Sequence, residues 1–392
     1  MIHLTRRGDN MNEFGYIMPT EIQFGEGVVQ GIGEIIRDRG FEKPMIVTDK
    51  GIVAAGLIEG IQKSIEEAGF DCILYDEVIP NPRDNDCDKG AAFALEKGVD
   101  VLIAVGGGSA MDTAKAMATV MTNGKTSRDW MDVELDEQIT PVICIPTTCG
   151  TGSEVTFNAV IINTETRLKG NIFDPKCAPI LALVDPLMIK NLPAGLVSST
   201  GIDALTHAIE AYVSTVATPI TDMISIKAVQ MIADNIVAAT KGDMEARAEV
   251  LLASCYAGIA FGNADTAAVH CISECFGGFY DMPHGVTNSI FLPTVSEYSI
   301  PGNPKKYADC AAAMGCDISG LTDEEAAMKG VEKIKELCAE IGIPKLSSFT
   351  EVDPKDFDYL AQASSEHVCN PSNPIEFTAE QYKEIFEKVM AE

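Results

Sequence analysis

Short apolar runs alternate with amphipathic segments through the first half of the chain. PMIVTD (44–49), CILYDEV (72–78), VDVLIAVGGGS (99–109), PVICIPTT (141–148) and PILALVDP (179–186) are brief and β-rich. Between them, GLIEGIQKSIEEAG (56–69) sets Leu57, Ile61 and Ile65 at helical spacing, and DKGAAFALEKG (88–98) reads as a helix stopped by glycine. Strand and helix alternating at these lengths predict a parallel sheet with helices on both faces. The pattern changes near Pro193. Residues 222–240, 244–262 and 323–342 read as long helices, and few β-rich runs remain. The predicted fold class is α/β plus all-α, with an α/β domain over 1–190 and a helical domain over 191–392. No internal repeat or low-complexity linker is visible.

Composition narrows the partners. The chain has 392 residues, 46% hydrophobic and 22% charged, which suits a folded globular protein of two domains. Its 58 acids and 29 bases leave a formal charge of −29. Nucleic acid and anionic membrane surfaces call for basic patches, so neither is expected as a partner. The twelve cysteines are scattered with no CxxC pair, which argues against a zinc ribbon or a disulfide scaffold. Cys271 and Cys275, in an apolar segment, are expected to be small core residues of a reduced, cytoplasmic protein. No apolar run reaches the ~18 residues of a membrane span. The first residues, MIHLTRRGDNMNEFGY, lack the apolar stretch of an export signal. We take them as a short extension ahead of a second methionine, Met11.

Two glycine-rich turns suggest a nucleotide. AVGGGSAMDTAK (104–115) follows a strand and opens a helix. Gly106, Gly107 and Gly108 allow a tight turn and close approach, and the helix N-terminus suits a pyrophosphate. It is not the standard dinucleotide fingerprint, because Met111 stands where the third glycine belongs. A plain strand–helix turn is the alternative. IPTTCGTGSEVT (145–156) adds Thr147, Thr148, Thr151 and Ser153, hydroxyls that can hold sugar and phosphate oxygens. A simple Ser/Thr-rich loop is the alternative there. Asp49 ends an early strand, where an acid can accept from a ribose hydroxyl and repel a 2′-phosphate.

GIDALTHAIEAY (201–212) is an apolar helix carrying Asp203 and His207 at i and i+4, on one face. An i,i+4 ion pair is the plain explanation. Downstream lie His270, in a predicted helix, and His284, in a Pro-His-Gly loop beyond a glycine pair expected to end that helix. Three of the chain's five histidines fall in this region. One carboxylate and three imidazoles suit a single Zn²⁺ or Fe²⁺.

GGGSAMDTAK, PTTCGTGSEVT, GIDALTHAIEAYVS and the H-x13-H ending in PHG occur in the order seen in the iron-dependent (group III) alcohol dehydrogenases. The chain resembles that family from FGEG (24–27) to NPIEFT (373–378). The resemblance implies an N-terminal Rossmann-like domain, a C-terminal helical domain in a dehydroquinate synthase-like arrangement, NAD(P), one divalent metal between the domains, and a homo-oligomer. It implies Asp203, His207, His270 and His284 as metal ligands. Gly107, Gly108 and Ser109 fall on pyrophosphate contacts. Asp112, Thr147, Thr148, Thr151, Ser153, Asn81 and Lys169 fall on the cofactor side, and Asp49 on the acid that favours NAD.

Two departures bear on the substrate. The family's HxxxH reads His270 to Glu274 here, and its late N-P-R reads Asn373-Pro374-Ile375. Glu274 is one helical turn from His270. It is expected beside that ligand in the catalytic site as a proton route, as a selector of polar or cationic substrates, or as a structural acid paired elsewhere. The implied reaction is hydride transfer between NAD(H) and a small primary alcohol or aldehyde. Candidates are 1,3-propanediol, sulfoacetaldehyde and 4-hydroxybutyrate; YAGIAFGNA (256–264) resembles the branch acting on the last. The alternatives are an NAD- and metal-using lyase of the dehydroquinate synthase type and a non-catalytic binding relative.

Overall fold

A computed structural model describes residues 13–392, so Met11 lies outside the described residues. The chain forms two compact units: Ile17–Asn191, and Leu192–Glu392 together with residues 13–16.

The first unit contains β1 (Glu21–Phe24), α1 (Ile32–Asp38), β2 (Pro44–Val47), α2 (Lys50–Ala54), α3 (Glu59–Glu67), β3 (Ile73–Tyr75), α4 (Asp84–Lys97), β4 (Val101–Gly106), α5 (Gly108–Asn123), β5 (Val142–Pro146), β6 (Asn158–Asn163), β7 (Leu168–Phe173) and β8 (Leu181–Val184). Six strands make a parallel sheet in the order β1-β8-β5-β4-β2-β3. Met45, Val47, Leu102, Ala104, Val142 and Cys144 pack on one face with residues of α4 and α5. Ile46, Val101, Ile103, Val105, Ile143 and Ile145 pack on the other with residues of α1 and α3. Burial of both faces is why these strands read as continuous apolar runs.

The sequence pattern did not reveal β1 or the antiparallel β6–β7 hairpin, which stands outside the main sheet. The residues of β6 and β7 are largely half-buried, so no long apolar run marks them. Helix α4 begins at Asp84, ahead of the predicted start. Asp84 and Asp86 in its first turn complement the positive end of the helix.

The second unit is helical: α6 (Ala194–Val213), α7 (Pro219–Thr240), α8 (Met244–Ala264), α9 (Ala268–Tyr280), α10 (His284–Ser299), α11 (Pro304–Ala313), α12 (Asp323–Glu340), α13 (Phe357–Ser365) and α14 (Ala379–Ala391). Start signals are explicit. Thr218, Thr322 and Thr378 each close a capping box, and Pro219 follows at the first helical position.

Two local expectations are corrected. The Gly277–Gly278 pair does not stop α9, which runs on to Tyr280 and ends at Asp281 in a left-handed conformation. Phe276 beside the pair packs edge-on against Phe291 and Phe386, each 5.1 Å away between centroids. Such packing outweighs the roughly 1 kcal/mol helix penalty of a glycine. His284 is not in a loop but opens α10, with Pro283 at its cap.

Lys115 and Glu154 are among the buried ionisable side chains of the first unit. Lys115, fully buried, donates to Ser153 O (2.6 Å), Ser153 Oγ (2.9 Å), Asn158 O (2.9 Å) and Thr156 Oγ1 (3.3 Å). These bonds tie α5 to the segment after β5. Glu154 is 2% exposed, and its Oε1 has no hydrogen-bond partner among the described residues. Burial pushes its carboxyl up to about 7 from the ordinary 4.5, against the opposing effects of a backbone bond and Lys115.

Between those two values the folded chain holds a proton that the unfolded chain has lost. Stability from this residue is therefore present below about 4.5 and lost as pH rises through about 7, on the order of 3 kcal/mol in all. Thermal melts at pH 5 and pH 8 check this: wild type is expected to lose more stability than Glu154→Gln across that interval. Equal losses would refute it.

Candidate metal centre and dinucleotide turn

Helix α6 is buried on nearly all sides, yet it carries Asp203, Thr206, His207 and Glu210 in its core. Thr206 satisfies itself on Ile202 O at 2.8 Å. The other three share a face, and α9 and α10 bring His270 and His284 to it. One donor atom from each of Asp203, His207, His270 and His284 lies within 4.8 Å of the others. Metal–ligand bonds of about 2.0–2.2 Å place donor atoms about 3.3–4.4 Å apart, so this cluster is close to the size of one ion's shell. One oxygen and three imidazole nitrogens, with no thiolate, form a donor set that fits Fe²⁺ or Zn²⁺.

The imidazoles are oriented from behind. His270 Nδ1 lies 2.5 Å from Glu210 Oε2, which turns Nε2 towards the cluster. Glu210 also accepts from Ala267 N (2.9 Å) and Val269 N (2.6 Å) at the start of α9. One buried carboxylate thus caps the helix that carries His270 and fixes the ring. His284 Nε2 faces Asp203 Oδ1 at 3.8 Å, while its Nδ1 faces Ser273 Oγ at 3.3 Å and Glu274 Oε1 at 3.7 Å. His207 is stacked between Phe261 (4.3 Å) and His270 (4.5 Å). Asn288 Nδ2 donates to Asp203 Oδ1 at 2.7 Å, and lies 3.1 Å and 3.2 Å from Nε2 of His270 and His284.

Charge follows the geometry. Burial would raise the Asp203 carboxyl, but His207, His284, His270 and the Asn288 bond outweigh it and hold the pKa below the ordinary value. Burial would lower the His270 imidazole, but Glu210, then Asp203 and Glu274, raise it. Gly285 lets α10 approach α6: a β-carbon there would lie 2.8 Å from Ser199 O and 3.3 Å from Asp203 Cβ.

Glu210 and Asn288 were missed in the sequence. Glu210 is three residues past His207 and seven past Asp203, so the helical face pointed to it. Asn288 is four past His284, but that register is invisible while His284 is assigned to a loop. Asn373, in the departed N-P-I turn, donates to Ile375 O at 2.7 Å and Ser299 Oγ at 3.0 Å and so holds its own turn.

In the first unit the sheet order reverses between β2 and β4. Asp49, Gly107–Ser109 and Thr147–Thr148 follow the C-terminal ends of adjacent strands β2, β4 and β5, where open α/β sheets bind ligands. Among the described residues no side chain caps α5, which leaves its first N–H groups for a ligand oxygen. A β-carbon at Gly107 would lie 3.1 Å from Thr148 Cγ2, and one at Gly108 3.0 Å from Thr151 Cγ2. The two turns interlock at their glycines, a cradle consistent with a pyrophosphate. Met111, in place of the third fingerprint glycine, is a fully buried core residue.

The remaining cofactor-side candidates have structural partners. Asp49 Oδ1 caps α2 through Gly51 N (2.7 Å) and Ile52 N (3.0 Å). Asp112 accepts from Ser153 Oγ at 2.8 Å. Burial raises its pKa, opposed by Lys115, the Ser153 bond and, more weakly, Lys169. Lys169 lies on β7 opposite Ile162, whose N–H reaches Pro82 O at 2.7 Å beside left-handed Asn81.

Known proteins match along the chain. A family model described as iron-containing alcohol dehydrogenase matches residues 19–186, and one for the C-terminal part of the Fe-containing alcohol dehydrogenase family matches 197–390. The 1,3-propanediol dehydrogenase of Citrobacter freundii is 36% identical over 378 residues, 95% of this chain and 98% of that one. The lactaldehyde reductase of Escherichia coli (strain K12) is 37% identical over 367 residues, 93% and 96% of the two chains. The crystal structure of a 1,3-propanediol oxidoreductase superposes with a TM-score of 0.94 at 36% identity, covering 96% of this chain and all of that one. The chain belongs to the iron-containing alcohol dehydrogenase family.

Proposed function

We propose that Asp203, His207, His270 and His284 hold the divalent ion of a metal-dependent, NAD-linked alcohol dehydrogenase. The observation that carries the assignment is the convergence of these four donors within 4.8 Å, with Glu210 behind His270. A bound ion would polarise the carbonyl oxygen as a Lewis acid while the nicotinamide carries the hydride. The chain's own residues do the rest. Glu210 holds His270 in the tautomer that points Nε2 inward, and Asn288 orients the Asp203 carboxylate. Phe261 covers one face of His207 and keeps water from it.

The unit Ile17–Asn191 serves in this proposal as the dinucleotide domain, and Leu192–Glu392 as the metal domain. Gly107, Gly108 and Ser109 receive the pyrophosphate. Asp49, Asn81, Asp112, Thr147, Thr148, Thr151, Ser153 and Lys169 form its surroundings, with Asp112 and Ser153 acting from beneath through Lys115. The substrate is a small primary alcohol or aldehyde. No helix among the described residues is long and apolar enough to cross a membrane. A homo-oligomer in the cytoplasm completes the proposal, supported by the family and by cysteines that form no disulfide among the described residues.

Turnover of NADH with small aldehydes, assayed after loading Fe²⁺ or Zn²⁺, tests the function. No turnover with either metal would overturn it. His270→Ala is expected to lose most bound metal and activity; full metal content by elemental analysis would refute the ligand set. Glu210→Gln is expected to weaken metal affinity about 10–100-fold. Gly285→Ala, which drives α10 against a backbone carbonyl of α6, is expected to lower metal content while leaving NADH binding unchanged. Fluorescence titration of NADH beside metal analysis checks the separation.

A further inference from the structure

The loop that meets the glycine turn of α5 hides an acid. Gly152, in a left-handed conformation, starts a single helical turn over Ser153, Glu154 and Val155. All three are buried, and the turn packs on α5, β5 and β8. It is joined to the glycine cradle. Ser153 N donates to Thr151 Oγ1 at 3.3 Å, and Thr151 Cγ2 lies 3.0 Å from where a β-carbon of Gly108 would stand. Moving Glu154 out of its seat would therefore carry Thr151 away from Gly108.

The seat compensates a charge poorly. Lys115 on α5 acts on the Glu154 carboxyl, but the four oxygens that take its hydrogen bonds belong to Ser153, Thr156 and Asn158. Asp112, on the same helix, draws on the same ammonium and also accepts from Ser153 Oγ at 2.8 Å. From β5 comes the Cys144 thiol, which burial keeps protonated by pushing it up to about 12. Strand β8 offers only Leu181, Ala182, Leu183 and Val184. The Glu154 carboxyl has its own backbone amide and, at Oε1, no partner among the described residues. Ionised, it would be a buried carboxylate with one bare oxygen and a shared counter-charge, which is far more costly than a neutral acid in the same place.

Resting on the reading of the first unit as a dinucleotide domain, we propose that Glu154 is a positioning residue that works as a neutral acid: its proton keeps residues 151–156 folded against α5, and NAD(H) binding is coupled to that proton. The proton leaves to water when the turn opens and returns from water when it closes. The sign follows from the two environments. The carboxyl of the packed turn sits at about 7, and that of an opened, solvated turn at the ordinary 4.5. Opening therefore becomes easier as pH rises between those values, by about 300-fold in all, and levels off above about 7. Cofactor affinity falls over the same interval, because the closed turn is the form that binds.

The test titrates NAD by calorimetry into the metal-loaded full chain at pH 6, 7, 8 and 9. Wild-type affinity is expected to fall about three- to tenfold from pH 6 to pH 8 and to change little from pH 8 to pH 9. Glu154→Gln, neutral at every pH, is expected to hold the wild-type pH 6 affinity throughout. At pH 7, wild type titrated in two buffers of different ionisation heat is expected to take up a fraction of a proton on binding. That second measurement decides the matter if the variant does not fold. Equal wild-type affinity at pH 6 and pH 8, no proton uptake, an unchanged fall in Glu154→Gln, or a folded Glu154→Gln that binds weakly at every pH would each overturn the proposal. Absence of NAD binding by wild type at all four pH values would instead remove the dinucleotide reading on which it rests.

Discussion

The burial of Asp203 against three imidazoles is the constraint on which the second unit depends. A carboxylate this deep is costly unless positive or donating groups surround it. Here the compensation comes from three different helices. His207 shares α6 with it, His270 arrives on α9, and His284 and Asn288 arrive on α10. A divalent ion at the meeting point would complete that balance. The same requirement explains why α6 is apolar almost throughout and polar at three positions on one face.

Glu210 shows how few residues are needed to make such a centre rigid. Its two oxygens take two amides from the start of α9 and one ring nitrogen of His270. Helix position and imidazole tautomer are thereby set by one side chain. In the first unit Lys115 acts similarly, with its ammonium holding four oxygens of residues 153–158. The interlocked glycines at 107 and 108 then place the second turn against the first. Both sites are held by a buried charge that does not itself sit among the groups proposed to touch ligand.

Legibility varied with the kind of signal. The parallel strands were visible because burial on two faces writes a continuous apolar run. The β6–β7 hairpin was not, because strands outside a sandwiched sheet carry no such mark. The candidate ligands Asp203 and His207 stood out through i,i+4 spacing on one helix. The end of α9 and the start of α10 were misplaced, since Gly277 and Gly278 suggested a stop that aromatic packing by Phe276 overrides.

The sequence by itself determined the alternation of elements, the change to helices near Pro193, the four candidate ligands and the glycine turns. Each of these is a local pattern of residue type and spacing. Tertiary structure alone decided that Glu210 stands behind His270, that Asn288 reaches Asp203, and that Glu274 lies next to His284. Those relations join residues 60, 85 and 10 positions apart along the chain. No local periodicity encodes a distance across helices; it follows from how closely glycines such as Gly285 allow the backbones to approach.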